Sequence, residues 1–287
     1  MAQVRQMDSD DIIDCAHLFN AALDALRKAL AMEPMVHDDE ATQQRIRHLL
    51  ATDAPGSWVA SEDGRLVGFT QAQVRQDCWI LAHLFIDPAL QSKGIGTQLL
   101  AQATTHGFDV PVGLIGATAD PKAIRQYVRL PGFRAYPTLA AYGTIDRSKL
   151  DESFGHEVVE GTARELAATF EIDSKVRRGA HGSDLLLLID LGHRLLLIPE
   201  RGYALVTNET IGLLAATDED AAKQLLVAGL SQISSGVFVS LPRMTAEQQW
   251  AVPILVDSGL ALRPWGPFVI RGLNQPPHPY LPHPVLC

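Results

Sequence analysis

The stretch LFIDPALQSKGIGTQLL, Leu84 to Leu100, runs from an apolar segment through a polar turn and a Gly-x-Gly into apolar residues at helical spacing. Glycines at 94 and 96 leave the helix start without side chains, so its backbone N–H groups are open to close approach. The first turn of a helix has four N–H groups without partners and carries about half a positive charge. A pyrophosphate can bind there without a dedicated cation. The order Gln91-Ser92-Lys93-Gly94-Ile95-Gly96-Thr97 is not a dinucleotide fingerprint, because Leu99 stands where a third glycine would follow. It is not a Walker A loop either, since no Gly-Lys-Ser/Thr is present.

Working outward, periodicity predicts a strand around Val4, then a helix in SDDIIDCAHLFNAALDALRKAL behind a Ser9/Asp10 cap, then a helix DEATQQRIRHLLAT. SWVASEDGRLVGFTQAQV reads as a hairpin turning at Asp63-Gly64. The strand CWILAHLFI enters the opening motif. A helix from about Gly96 to Gly107, a strand VGLIGAT, a helix PKAIRQYVRL and a strand near FRAYPTLAAYGTI follow. The order β-α-α-β-β-β-α-β-α-β defines an α/β domain with a mixed sheet over 1–146.

The polar, turn-rich segment 147–156 is the expected linker to a second domain over 157–272. There we expect a helix ARELAATFEIDSKVRRG, a hairpin formed by LLLLIDLGHRLLLI, and strands GYALVTN and TIGLLAAT. A helix DEDAAKQLLVAGLSQI, a strand GVFVSL, a helix TAEQQWAVPILVDSG and a strand PWGPFVIRG close it. The Pro-rich tail, 273–287, is expected to hold no regular structure and to pack as an extended strap or stay mobile. Both halves end on a Gly-apolar-x-x-x-Pro exit, GFRAYP and GLALRP, which suggests an internal duplication.

Hydrophobic content of 47% and charged content of 20% fit a globular protein with a substantial core. The net charge of -9 argues against nucleic acid, whose phosphates need Lys and Arg. Cys15, Cys78 and Cys287 are scattered and lack metal-ligand spacing, so neither a metal site nor a disulfide framework is expected, and the cytoplasm is the natural compartment. Cys15, within an amphipathic helix, reads as core. No apolar run is long enough to span a bilayer, and MAQVRQMDSDD lacks a signal-peptide core.

Leu84 to Leu100 resembles the acyl-CoA-binding motif of the GNAT-type N-acetyltransferases, in which Gln/Arg-x-x-Gly-x-Gly/Ala follows a strand and opens a helix. The element order of 1–146 resembles the same family. Downstream, ADPKAIRQYVRLPGF resembles its second signature, with Asp120 in the place of an Asn, then Ala123, Tyr127 and a closing Gly132-Phe133, Pro131 being one residue extra. The whole chain resembles tandem proteins of this family of actinobacterial type. The resemblance implies a GNAT fold in 1–146 and a degenerate GNAT-like copy in 157–272.

It also implies roles. Backbone groups of Leu84, Phe85 and Ile86 would pair with the pantetheine arm. Gln91, Ser92, Lys93, Gly94, Ile95, Gly96 and Thr97 would hold the pyrophosphate, with Asp120 placed in the cofactor site. Tyr127 matches the proton donor to the leaving thiolate. A phenol of pKa about 10 suits a thiol of about 8.5. His83 is the candidate base, direct or through water, unless it is a buried ring bonded to the backbone. Trp79 lines the acceptor pocket or packs in the core. Glu33, in the loop AMEPMVHDDEAT, is a candidate contact for a cationic amine.

In the second half Asp218, Glu219 and Asp220 occupy the first turn of the matching helix, and Ile254 or Leu255 falls at the tyrosine position. Carboxylates there would repel a pyrophosphate, so the copy is expected to keep the fold without acyl-CoA binding. The activity implied is N-acetyl transfer from acetyl-CoA, as co-substrate, to a primary amine of a small molecule or an amino terminus. Direct attack in a ternary complex is expected, because only Cys78 lies near the motif. The alternative is a non-catalytic acyl-CoA sensor or interaction module. No nucleic acid or membrane partner is expected, and the second half either walls the acceptor pocket or forms a homodimer surface.

Overall fold

The computed structural model describes residues 2–107 and 109–287. The first half runs β1 (Gln3–Gln6), α1 (Ile12–Ala29), α2 (Asp39–Thr52), β2 (Ser57–Glu62), β3 (Arg65–Arg75), β4 (Cys78–Ile86), α3 (Ile95–Thr105), β5 (Val112–Gly116), α4 (Pro121–Tyr127) and β6 (Arg134–Thr144). This is the predicted order. The second half runs β7 (Val159–Gly161), α5 (Thr169–Arg177), α6 (Ser183–Asp190), β8 (Arg194–Ile198), β9 (Gly202–Val206), β10 (Ile211–Ala216), α7 (Glu219–Ser231), β11 (Phe238–Met244), α8 (Val252–Asp257) and β12 (Ala261–Arg271). It repeats the order of the first, and β13 (Tyr280–Leu281) is added at its end.

Three expectations are corrected. LLLLIDLGHRLLLI is not a hairpin but helix α6 followed by strand β8. Leucine favours helix over strand, and Gly192, at φ +89°, closes α6 in a Schellman motif. Its N–H reaches the Ile189 carbonyl, and the His193 N–H reaches that of Leu188, both at 2.9 Å. The segments 163–178 and 245–259 are not single helices. Each opens with a 3₁₀ turn, Ala163–Ala168 and Ala246–Gln248, before α5 and α8. Pro253 accounts for the second break, since proline fits only the first turn of α8. The tail does contain regular structure: Tyr280 and Leu281, between prolines, pair with Ala215 and Leu214 of β10, and Leu286 and Cys287 are fully buried.

The chain forms two compact units, one of 1–74 with 79–111 and one of 75–78 with 112–287. In the first unit β1, β2, β3 and β4 lie in sequence order, and the β2–β3 turn uses Asp63 and Gly64, both at positive φ. Helices α1 and α2 cover one face through Ile12, Cys15, Phe19 and Ile46 against Val59 and Phe69. Helix α3 covers the other, with Ile95 and Leu99 on Ala60 and Val67. Gly68 permits that approach, since a Cβ there would stand 2.8 Å from Ile86 and 3.0 Å from Leu99.

The second unit contains a sheet ordered β13-β10-β9-β8-β7 and a group ordered β5-β12-β6-β11. Its main core joins β8, β9 and β10 to α7, β11 and α8. In the second group the last strands of the two halves are exchanged. β12 lies between β5 and β6, and β6 lies between β12 and β11. The antiparallel β6–β12 pairing runs from Tyr142↔Ala261 to Arg134↔Ile270. This exchange is why 112–146 groups with the second half rather than dividing from it at 147–156. Among the described residues no helix is long and apolar enough to cross a membrane.

Candidate active site

Strand β4 alternates its side chains between two covered faces. Leu84 and Ile86 pack toward α3, whereas Phe85 and His83 turn toward α1 and α2. The strand ends at Asp87, whose carboxylate accepts from the Ala89 N–H at 2.9 Å and pairs with Arg65. The chain then turns through Ser92 and Gly94, at φ +68° and +88°, into α3. Gly94 is the N-cap, left-handed and without a capping side chain, and the first turn of α3 contains no carboxylate. A Cβ at Gly94 would meet nothing within 4 Å. Ser92, Lys93, Gly94 and Thr97 are exposed, and Gln91 and Gly96 are partly so. The helix start is therefore a surface of free backbone donors, suited to an anion.

The matching helix in the second half is closed. Asp218 caps α7 by accepting from the Ala221 N–H at 2.9 Å, and Glu219 and Asp220 follow in the first turn. Arg201 locks this turn with two bonds to Asp218, at 3.0 and 2.7 Å, and one to Asp220 at 2.9 Å. Of Ile254 and Leu255, the two candidates for the tyrosine position, Leu255 is fully buried in the core and Ile254 packs against it.

His83 is buried, with the rings of Phe19, Phe69 and Phe85 at 5.5, 5.5 and 6.1 Å. Its tautomer follows from its neighbours. The Ile46 carbonyl can only accept, so the Gln71 group facing it at 3.0 Å is the amide Nε2. Gln71 Oε1 then faces His83 Nδ1 at 2.9 Å and accepts its proton. Nε2 keeps its lone pair, buried and without a partner. Burial, with the Arg45 guanidinium nearby, pulls this histidine down to about 3, so it is neutral at physiological pH. Gln71 escaped the sequence reading. The available signal was three polar residues, Thr70, Gln71 and Gln73, inside an apolar strand, all fully buried.

Trp79 is buried, and its indole N–H donates to the Ala103 carbonyl at 3.1 Å, a packing role. Glu33 is exposed, and its carbonyl accepts from Arg27 Nε at 2.7 Å. In the other unit Asp120 caps α4 by accepting from the Lys122 N–H at 2.8 Å. Tyr127, the last residue of α4, is buried, and burial together with Asp120 pushes its phenol up, so it stays protonated. Phe133 lies where a Gly113 Cβ would be, and Arg271 stacks over its ring at 5.2 Å, which gives the closing Gly132-Phe133 a packing reason. The Cys15 thiol is buried and pushed up, unsuited to nucleophilic attack. Among the described residues no set of three His, Cys, Asp or Glu side chains could hold a metal.

Residues 23–133 match the model of the acetyltransferase (GNAT) family. Over 132 residues the chain is 32% identical to the mycothiol acetyltransferase of Rhodococcus jostii (strain RHA1), a match covering 45% of this chain and 40% of that protein. The matched part thus spans less than half the length of the curated relative. Among solved structures, a candidate acetyltransferase of Pyrococcus horikoshii superposes with a TM-score of 0.77 at 17% identity, covering 98% of this chain and 94% of that one. A tandem GNAT protein from the clavulanic acid biosynthesis pathway gives 0.59 at 13%, covering 96% and 100%. At such identities these two likenesses establish the fold, and both extend over nearly the whole chain.

Proposed function

We propose that the chain is an acetyl-CoA-dependent N-acetyltransferase with one cofactor site, at the start of α3, and that the second half is a copy that has lost its own. The observation that carries this reading is the contrast between two helix starts. That of α3 is opened by Gly94 with no cap and no carboxylate, whereas that of α7 is filled by Asp218 and locked by Arg201. Backbone donors of Gly94 to Thr97 would hold the pyrophosphate, with Lys93, Gln91 and Ser92 at its rim, and Leu84 to Ile86 would offer backbone groups to the pantetheine.

The acceptor is a primary amine, of a small molecule or an amino terminus. Its neutral nitrogen attacks the thioester carbonyl carbon, an N–C bond forms, the C–S bond breaks and the thiolate leaves. Tyr127 is assigned the proton for that thiolate by its place in the family's second motif and by a phenol that burial keeps protonated. His83 Nε2 is assigned the accepting hydrogen bond from the amine or from a water. Its depressed basicity means that it passes the proton on rather than storing it.

Calorimetric titration with acetyl-CoA, reporting stoichiometry per chain, tests the reading, followed by thiol release with a panel of amines. One site per chain and amine-dependent release of free coenzyme A are expected. Two sites would overturn the loss in the second half, and none would overturn the cofactor assignment.

A further inference from the structure

The exchanged strands bring four side chains together: Tyr142 of β6, Phe238 of β11, and Arg263 and Trp265 of β12. The register places Tyr142 opposite both Ala261 and Ser240, and Arg263 opposite Ala140, so strands of both halves build the cluster. The Arg263 guanidinium lies 4.5 Å from the Tyr142 ring centroid and 5.3 Å from that of Trp265. The Phe238 ring lies 6.2 Å from that of Tyr142 and is 65% exposed.

Other arginines of this unit find acceptors within the chain. Arg201 binds Asp218, Asp220 and Glu157, Arg75 binds Asp184, and Arg243 reaches the Gly116 carbonyl. Arg263 has no ion pair or hydrogen bond among the described residues. Its Nε is buried without an acceptor, as is the indole N–H of Trp265. Arg263 thus keeps donors that no group among the described residues accepts. Contact with two rings fixes the planar fork and strips part of its hydration, which leaves its two terminal amino groups for bidentate contact with a planar anion.

We propose that Tyr142, Phe238, Arg263 and Trp265 form a binding site for a carboxylate carried on an aromatic or apolar body. The two terminal amino groups of Arg263 take the carboxylate oxygens, while Tyr142, Trp265 and the exposed Phe238 wall the body. A strongly hydrated anion such as phosphate gains nothing from those walls and is excluded by them.

The test is titration of the full chain with phenylacetate, phenylacetamide and inorganic phosphate, followed by tryptophan fluorescence and by calorimetry. Phenylacetate should saturate, and binding should weaken about tenfold or more for the amide and in Arg263→Met, as expected for a charge-assisted bidentate contact. Arg263→Lys, which keeps the charge without the fork, should also lose affinity. Trp265→Phe should lose the fluorescence response. Acetyl-CoA affinity, measured on each variant, should be unchanged and reports that the variant is folded. Equal affinity for phenylacetate and its amide, tighter binding of phosphate, unaltered binding in Arg263→Met, or no saturation by phenylacetate would each overturn the proposal. None of these results depends on acetyl transfer, so this site and the cofactor site stand or fall separately.

Discussion

Gly94 offers a way to separate backbone conformation from charge at the same atom. Its φ of +88° lies in the left-handed region, where any other residue costs roughly 1 to 2 kcal/mol. A Cβ there meets nothing within 4 Å, so sterics add nothing further. Gly94→Ala therefore measures the conformational cost alone, and should lower the unfolding free energy by about 1 kcal/mol. Gly94→Glu adds a carboxylate beside the proposed pyrophosphate. At about 6 Å and an effective dielectric of about 20 the repulsion per unit charge is roughly 3 kcal/mol. Gly94 is exposed, so screening reduces this toward about 1 kcal/mol. Over the roughly two charges of the pyrophosphate this is about 2 kcal/mol, so the dissociation constant for acetyl-CoA should rise about thirtyfold in Gly94→Glu beyond any change in Gly94→Ala. Calorimetry at low and high salt gives both numbers, and the gap between the variants should narrow as salt is added. If both variants bind acetyl-CoA with the same affinity, no anion sits on this turn and the cofactor assignment fails.

Tyr127→Phe should leave the acetyl-CoA dissociation constant unchanged and lower kcat by about a hundredfold, the usual size of general-acid help, in a coupled thiol-release assay; a sensor without turnover would show no such loss. His83, held down at about 3 in the fold against 6.5 when unfolded, binds fewer protons in the native state. Stability should thus be level above pH 6.5 and fall by about 1.4 kcal/mol per unit as the pH drops toward 3, a slope that His83→Phe should flatten in chemical denaturation series. The same shift places no His83 limb near pH 6.5 in kcat/KM, where the acceptor amine's own ionisation should set the acid side. Gly68→Val forces side-chain atoms into Ile86 and Leu99 and should cost about 1 to 3 kcal/mol, read from the urea midpoint.

The element order of the first half, and of the second from β8 onward, was legible because helix and strand periods alternate cleanly and Asp63-Gly64 marks its turn. The α3 start was legible for a similar reason, since the absence of side chains at Gly94 and Gly96 is a local property. Helix α6 marks the limit of pattern: its leucine run fits either a helix or a buried strand, and what decides is Gly192, whose positive φ stops the helix. The His83 tautomer lay beyond any local reading, because it depends on the Ile46 carbonyl at the far side of Gln71. The β6–β12 exchange was equally hidden. Nothing in 134–144 or 261–271 specifies which strand each will pair with, and only the burial of Ala141, Leu241 and Leu262 in one core selects the register.

That exchange has a consequence for how the molecule comes to exist. During synthesis β5 and β6 leave the ribosome long before β12, so the slot between them stays empty while the second half is being made. The first half cannot finish alone, and its unpaired strand edges must be shielded until the end of the chain arrives. The same dependence limits what can be cut away: removing the half that carries the closed turn at Asp218 also removes β12, and leaves β5 and β6 without the strand that pairs them both.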